Sequence, residues 1–384
     1  MNRKQFITLA CYAAFIAIGV CVTIFGPAKD ILTQRFGLPL KDGGNFISLH
    51  YIGAVIGIVV TGALLDKVNA RYLLVGGTLL MGIGLLVLTQ AQSLWLAYAS
   101  MVVIGLGYGA LDICPNLVVA SLNTERASIA LNILNIMWGI GAALGPQVAN
   151  FALSQQNINI AFLLTGTFSL ALAIPFAFAS LEPRHRTQGT EDSTAIGAIS
   201  MWSLIPFVLL IFVYVGAENG FGQWLFTEVT NVTRSTDSVA TLATSLFWGG
   251  LTVGRVVASL LLRRISDETL LMGTTLLIAI SAALLIVLPG VESIALISAF
   301  LVGIGCGPIF PTSLAILNRR FPRGTITGTV VAFGTTGGIV IPWVQGQVGA
   351  DHSGGMIVTV ILGFVLLALA WLVQRKPSTA AQYA

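Results

Sequence analysis

Twelve apolar runs, each of about 20 residues and separated by short polar connections, follow one another along the chain. Their centres fall near residues 17, 55, 82, 108, 140, 169, 214, 249, 279, 304, 338 and 364. A helical run of that length matches the hydrocarbon core of a bilayer, and a backbone facing lipid must satisfy its own hydrogen bonds, so each run is predicted to be a membrane-spanning helix. A barrel would show short alternating segments instead. Composition agrees, with 9% charged and 56% hydrophobic residues among the 384, against roughly 25% charged in a soluble domain. The expected fold class is an all-α membrane protein whose first partner is the lipid bilayer.

Basic residues set the orientation, because cytoplasmic loops accumulate Lys and Arg. With the N-terminus inside, 14 of the 19 basic residues fall in inner segments. The outer loops are expected to hold Lys29, Arg35, Lys41 and Arg234, which leaves Arg255 alone within a span. Both termini are therefore expected to be cytoplasmic, in a multi-pass protein of the cell (inner) membrane. This bias accounts for the net charge of +4 without nucleic acid as a partner. The first apolar run has basic flanks but no convincing small-residue cleavage site, and reads as a retained span. Cys11, Cys21, Cys114 and Cys306 lie within spans with no metal-ligand spacing, as small packing residues. Trp95, Trp202 and Trp371 lie near span ends, where indoles favour the interface.

Internal repetition gives the plan. "GALLDK" from Gly62 pairs with "SLLLRR" from Ser259 at a shift of 197, "GLGYG" from Gly105 with "GIGCG" from Gly303 at 198, and Pro146 with Pro342 at 196. A near-constant shift across three pairs of spans indicates a duplicated six-helix unit. The expected organisation is an N-terminal bundle at 1–181, a cytoplasmic linker at 182–200 and a C-terminal bundle at 201–384, with Leu181 to Ser200 the longest polar stretch. "GALLDKVNAR", Gly62 to Arg71, resembles the loop 2–3 signature of the major facilitator superfamily. That resemblance implies two bundles rocking about a central site. Asp66, Lys67 and Arg71 then read as gate residues that latch inner helix ends to one another and to helix dipoles. The second copy carries Arg263 where the first has Asp66, so a symmetric pair of latches is not expected.

Ionisable groups at membrane depth cost about 2.5–3.5 kcal/mol each on insertion scales, so function is their default reading. Three stand out: Asp112, Glu218 and Arg255. Helical spacing puts Tyr108, Asp112 and Asn116 on one face, able to meet a cation or hydroxyls. Glu218 lies in "YVGAENGFGQW", whose Gly216, Gly220 and Gly222 favour a break in span seven with free carbonyls facing a cavity. Asn219 and Gln223 share a face there with Trp224 beside it; amides offer hydroxyls both donor and acceptor, and an indole packs on the apolar side of a ring. Span five adds Asn132 and Asn135 with Gly139 on their face, and span eleven adds Trp343 and Gln345. Arg255 shares a face with Trp248 and Thr252 in the inner half of span eight, where pairing near the gate and contact with solute are both open readings.

"GYGALDICPN", "LNILNIMWGIGAALGP", "YVGAENGFGQW" and "GIGCGPIFPT", in that order, resemble the fucose–proton symporters and the related sodium-dependent glucose transporters. The resemblance implies monosaccharide transport coupled to a proton or a sodium ion, with Asp112 and Glu218 at the acidic positions of spans four and seven. From the side chains themselves, the solute is expected to bind near mid-membrane at Asn116, Asn135, Glu218, Asn219, Gln223, Trp224, Trp248, Trp343 and Gln345. One departure is the stretch "AFIAIGVCVTIFGP", which lacks the further acidic residue that the fucose symporters carry in span one. An exporter of drugs or amphipathic metabolites is the alternative, since "GIGAALGPQVAN" partly resembles the span-five antiporter motif. Ala149 and Asn150 replace its closing glycines, which weakens that reading. A sensor or scaffold that keeps the fold without moving solute is a third reading. No nucleotide loop, metal-ligand cluster or nucleophile constellation points to an enzyme, so neither cofactor nor metal is expected. The chain is expected to work as a monomer.

Overall fold

Uninterrupted apolar sequence with few turn residues makes helices, and short polar connections force neighbours to run antiparallel. The computed structural model describes residues 3–65, 67–179, 203–321, 324–349 and 354–374. The first half contains α1 (Arg3–Arg35), α2 (Gly43–Leu64), α3 (Ala70–Thr89), α4 (Leu94–Leu122), α5 (Ala127–Ser154) and α6 (Asn159–Ala177). The second contains α7 (Ile205–Asn231), α8 (Asp237–Leu261), α9 (Asp267–Val287), α10 (Glu292–Arg320), α11 (Gly324–Thr335), α12 (Gly337–Gly349) and α13 (Gly354–Gln374). Helices α11 and α12 together form one span, so among the described residues 12 spans are long and apolar enough to cross a bilayer. The protein is a multi-pass membrane protein. Its outer surface exposes Val59, Ile174, Phe333 and Phe364, side chains suited to acyl chains rather than water. Trp95 and Trp371 are exposed at helix ends, and the four cysteines are free and buried.

Polar residues close the helix ends. Ser93, Thr236 and Ser266 each accept a hydrogen bond from the backbone N–H three residues on, and Asn69 accepts from Arg71. Each satisfies a donor that the first helical turn leaves free. Since successive spans alternate in direction, α1 starts and α13 ends on the same side of the membrane, called here the terminal side; the other is the far side.

Two hydrophobic cores form. One is built from residues between Ile7 and Ala179, the other from residues between Phe207 and Val373 together with Ala142. The linker expected at 182–200 lies outside the described residues, as do Asp66 and Trp202. Duplication is visible in the packing itself. A side-chain carbon on Gly53 or Gly57 would strike α4 backbone, and one on Gly105 or Gly109 would strike α2 backbone. Gly250 and Gly254 of α8 approach α10 in the same way, and Gly303 and Gly307 approach α8. The shift is 197 for the first pairs and 198 for the second. Small residues let helices pack backbone to backbone, one of the sources of affinity between helices in lipid.

The break expected in span seven does not occur, since α7 is continuous from Ile205 to Asn231. Its glycines serve close approach instead: Gly216 faces Ile341, Gly220 faces Gln345 and Gly222 faces Trp248. The interruption falls in span eleven, at Thr336 between α11 and α12. A second difference concerns α1, which runs on to Arg35 and so contains Lys29 and Asp30. Lys29 is not in a loop: it is fully buried. Arg255 is therefore not the only basic residue within a span, and span one does carry an acidic residue.

The α2–α4 seam gives a direct test. Gly109→Leu drives a side chain into the backbone at Ala54 and should destabilise by more than the ~1–3 kcal/mol typical of overpacking, because backbone cannot yield. Gly76→Leu, where the same carbon meets nothing within 4 Å, should leave thermal unfolding in detergent unchanged; equal melting temperatures for the two variants would refute this packing.

Candidate functional site: a central polar cavity

Between the two cores lies a cavity of about 190 Å³. The first half contributes Asp112, Asn116 and Tyr108 from α4 and Asn135 and Trp138 from α5. The second contributes Glu218, Asn219 and Tyr214 from α7 and Arg255 from α8, while Phe15 and Phe310 supply apolar wall. Helical spacing creates this grouping: Tyr108, Asp112 and Asn116 occupy one stripe of α4, and Asn116 holds its register by donating to the Asp112 carbonyl at 2.7 Å. Asn135 likewise donates to the Leu131 carbonyl at 2.9 Å and is exposed. Each amide keeps further capacity for a guest. Neither Asp112 nor Glu218 is ion-paired with Arg255, whose guanidinium lies 6.0 Å from the centre of the Trp138 ring and donates to the Gly307 carbonyl at 3.4 Å. Two carboxylates and a cation thus share a small chamber, in which Glu218 has Tyr214 as a hydrogen-bond partner and lies within electrostatic reach of Arg255.

Of the residues singled out in the sequence, Asp112, Asn116, Asn135, Glu218, Asn219 and Arg255 meet at this cavity. Arg255, for which the sequence leaves gate pairing and solute contact both open, lines the chamber itself. Gln223, Trp224, Trp248, Trp343 and Gln345 do not line it. Gln223 donates to the Val22 carbonyl at 2.8 Å, and the Trp224 indole donates to the Pro342 carbonyl at 2.8 Å. Gln345 is buried and donates to Gly355 and Thr359. Trp248 is buried between Phe247 and Trp138, and Trp343 is 45% exposed. These positions carry the right side chains at the wrong depth: they lie beyond or beside the chamber and join helices to one another. Of the expected gate, Lys67 is exposed and the Arg71 guanidinium rests 5.6 Å from the Tyr72 ring.

A second polar cluster joins Trp224 to three residues that the sequence does not mark as functional: Lys29, expected in an outer loop, Asp30 and Thr227. Lys29 Nζ lies 2.7 Å from Asp30 Oδ1, 3.2 Å from the Gly26 carbonyl and 4.2 Å from the centre of the Trp224 ring, and it also contacts Thr227. Thr227 donates to Asp30 at 2.8–3.0 Å. This buried knot ties α1 to α7 on the far side of the cavity. Further bonds between the halves lie on that side as well: Ser48 to the Ile339 carbonyl, Tyr51 to Asn219, Gln147 to Ser245 and Ser238 to Asn150. They seam the far half of the molecule, leaving the chamber at and below mid-depth toward the terminal side. The sequence holds one signal for this: no glycine or proline lies between Pro27 and Gly37, and Gly37, with a φ of 64°, follows the end of α1.

The sequence matches the family profile described as "Major Facilitator Superfamily" over residues 11–342 and again over 228–383. The chain belongs to that superfamily. Among relatives, a mouse (Mus musculus) protein named sodium-dependent glucose transporter 1A is 23% identical over 96% of this chain and 98% of its own length. The Bacillus subtilis (strain 168) glucose/mannose transporter GlcP is 21% identical over 87% of this chain and 86% of its own. In three dimensions, a bacterial homologue of the human lysosomal transporter Spinster, in an inward-facing and occupied conformation, superposes with a TM-score of 0.81 over 100% of this chain and 99% of its own at 13% identity. That likeness concerns the fold.

The buried knot yields a stability test. Removing one partner of a buried ion pair strands the other, at a cost of about 3–5 kcal/mol, whereas replacing both with apolar or neutral groups is close to neutral. Lys29→Met and Asp30→Asn should each lower the melting temperature in detergent, and the double variant should recover most of the loss. Additive losses in the double variant would show that the two groups are not coupled.

Proposed function

We propose that the chain is a secondary active transporter that moves a monosaccharide by alternating access, coupled to a proton or a sodium ion. The observation that carries this reading is the cavity: two carboxylates, three amides and a guanidinium, contributed by both halves, around a volume too small for a bulky solute. Ligand sites for drug-sized molecules run to about 300–1,000 Å³ and are mostly apolar. A chamber of about 190 Å³ with this lining favours a small hydroxylated solute over a greasy one. The names of the mouse and Bacillus relatives point to the same substrate class.

In this reading Asp112 and Glu218 hold the coupling ion, and Glu218 also accepts from solute hydroxyls. Asn116, Asn135 and Asn219 read the hydroxyls, and Arg255 sets the charge balance that decides when the carboxylates are occupied. With the termini in the cytoplasm, as the distribution of basic residues favours, the chamber belongs to the inner side and the seam at Lys29, Asp30 and Thr227 seals the outside. Opening outward requires that seam to part while inner helix ends, with Lys67 and Arg71 among them, come together.

Uptake by the purified protein in liposomes, with a panel of monosaccharides and imposed proton or sodium gradients, tests the proposal. Concentration of a hexose driven by either gradient supports it. Flux of lipophilic cations without sugar flux would replace it with export. Asp112→Asn should abolish uphill uptake while sparing exchange down a gradient; unchanged concentrative uptake would remove Asp112 from coupling. Glu218→Gln should weaken sugar affinity by roughly tenfold or more, the value of a hydrogen bond to a charged group at about 1.5–3 kcal/mol, as read by calorimetry.

A further inference from the structure

His50 belongs to neither the cavity nor the seam, yet it stands between them. Its side chain is buried, with the residue 1% exposed, and among the described residues neither ring nitrogen has a hydrogen-bond partner. The ring sits in an aromatic box made by Phe25, Tyr51 and Tyr108, at centroid distances of 5.6, 5.5 and 5.1 Å. A neutral imidazole always presents one N–H donor and one acceptor. Burying either without a partner costs about 1–3 kcal/mol, so an apolar residue would suit this box better than histidine does. The ring's polarity has no use in the conformation seen.

Its neighbours indicate where the use lies. Ser48 and Tyr51, flanking His50 on α2, each bond directly to the opposite half, Ser48 to the Ile339 carbonyl at 2.6 Å and Tyr51 to Asn219. Parting of the far side would break both contacts and admit water to the seam beside the ring. Tyr108, on the other side of the box, lines the central cavity. The ionisable groups around the box are few. Helix α4 brings Tyr108 and, one turn on, Asp112; α1 brings Cys21 and, a turn past Phe25, the Lys29–Asp30 pair. The short turn before α2 brings Lys41 and Asp42, α7 brings Glu218 within electrostatic reach of Tyr51 and Tyr108, and α12 brings none.

We propose that His50 is a proton-binding site that opens to the far side of the membrane when the two halves part there, so that protonation favours the far-open conformation. The imidazole takes a proton from water at the opened seam, and returns it to water before the aromatic box closes over the uncharged ring. This rests on the alternating-access reading above but not on which solute is carried.

The test needs no solute. Gln155→Cys at the far end of α5 and Val291→Cys at the far end of α10 carry spin labels on opposite halves; the native cysteines are buried. In the otherwise unaltered protein, the ratio of wide to narrow label separations should rise as pH falls from about 8 to about 5, by at most about tenfold per pH unit for one proton. His50→Leu should flatten that response and keep or raise the melting temperature. A response in His50→Leu equal to that of the parent, no response in the parent, or a lower melting temperature in His50→Leu would each overturn the proposal. Failure to carry any monosaccharide would appear only in the liposome assay and would leave this result standing.

Discussion

In hydrocarbon a polar group without a partner has no water to fall back on, and that constraint organises the whole molecule. Backbone groups meet it by forming helices. Side chains meet it in three ways here. Threonines and serines turn back onto their own helix, as Thr23 does to the Gly19 carbonyl and Thr274 to Leu270. Others bond across helices, as Ser169 does to the Thr78 carbonyl. Others face the chamber, where the two carboxylates are found, and a few, His50 among them, are buried with no partner among the described residues. A span that carries Asp112 or Glu218 is tolerable only because the two bundles enclose a space that water or a solute fills.

Much of the fold is legible in the sequence because the signals that specify it are long and redundant. Twelve apolar runs and a repeat shift near 197 depend on many residues at once, so no single misreading disturbs them. The site is legible in part, and the divide follows depth. Asp112, Asn116 and Asn135 stand out because a carboxylate or amide at mid-span has little to do in hydrocarbon except line a polar space. Asn219 and Gln223 share a helical face, yet a turn of rise separates them, and only Asn219 reaches the chamber. Sequence reports the face of a helix well and its depth against a neighbour poorly.

Two misreadings have the same physical root. Lys29 and Asp30 read as the end of a span because charges usually mark the interface, but adjacent opposite charges satisfy each other and can stay inside. The glycines of α7 read as a break because glycine weakens helices, but in lipid they equally permit contact, here with Ile341, Gln345 and Trp248. Both ambiguities are resolved only by the partner across the interface, which the local sequence does not contain.

The interruption of span eleven at Thr336 separates two jobs. Helix α11 packs on α7, within its own half, whereas α12 also reaches across to α2, where Ser48 binds Ile339 and Gly44 abuts Trp343. A rigid rod would have to carry both attachments through any rearrangement. Were the halves to part as alternating access requires, the joint at Thr336 would let the bridging segment swing like a latch tongue while its root stays seated, leaving the interior of the second bundle intact.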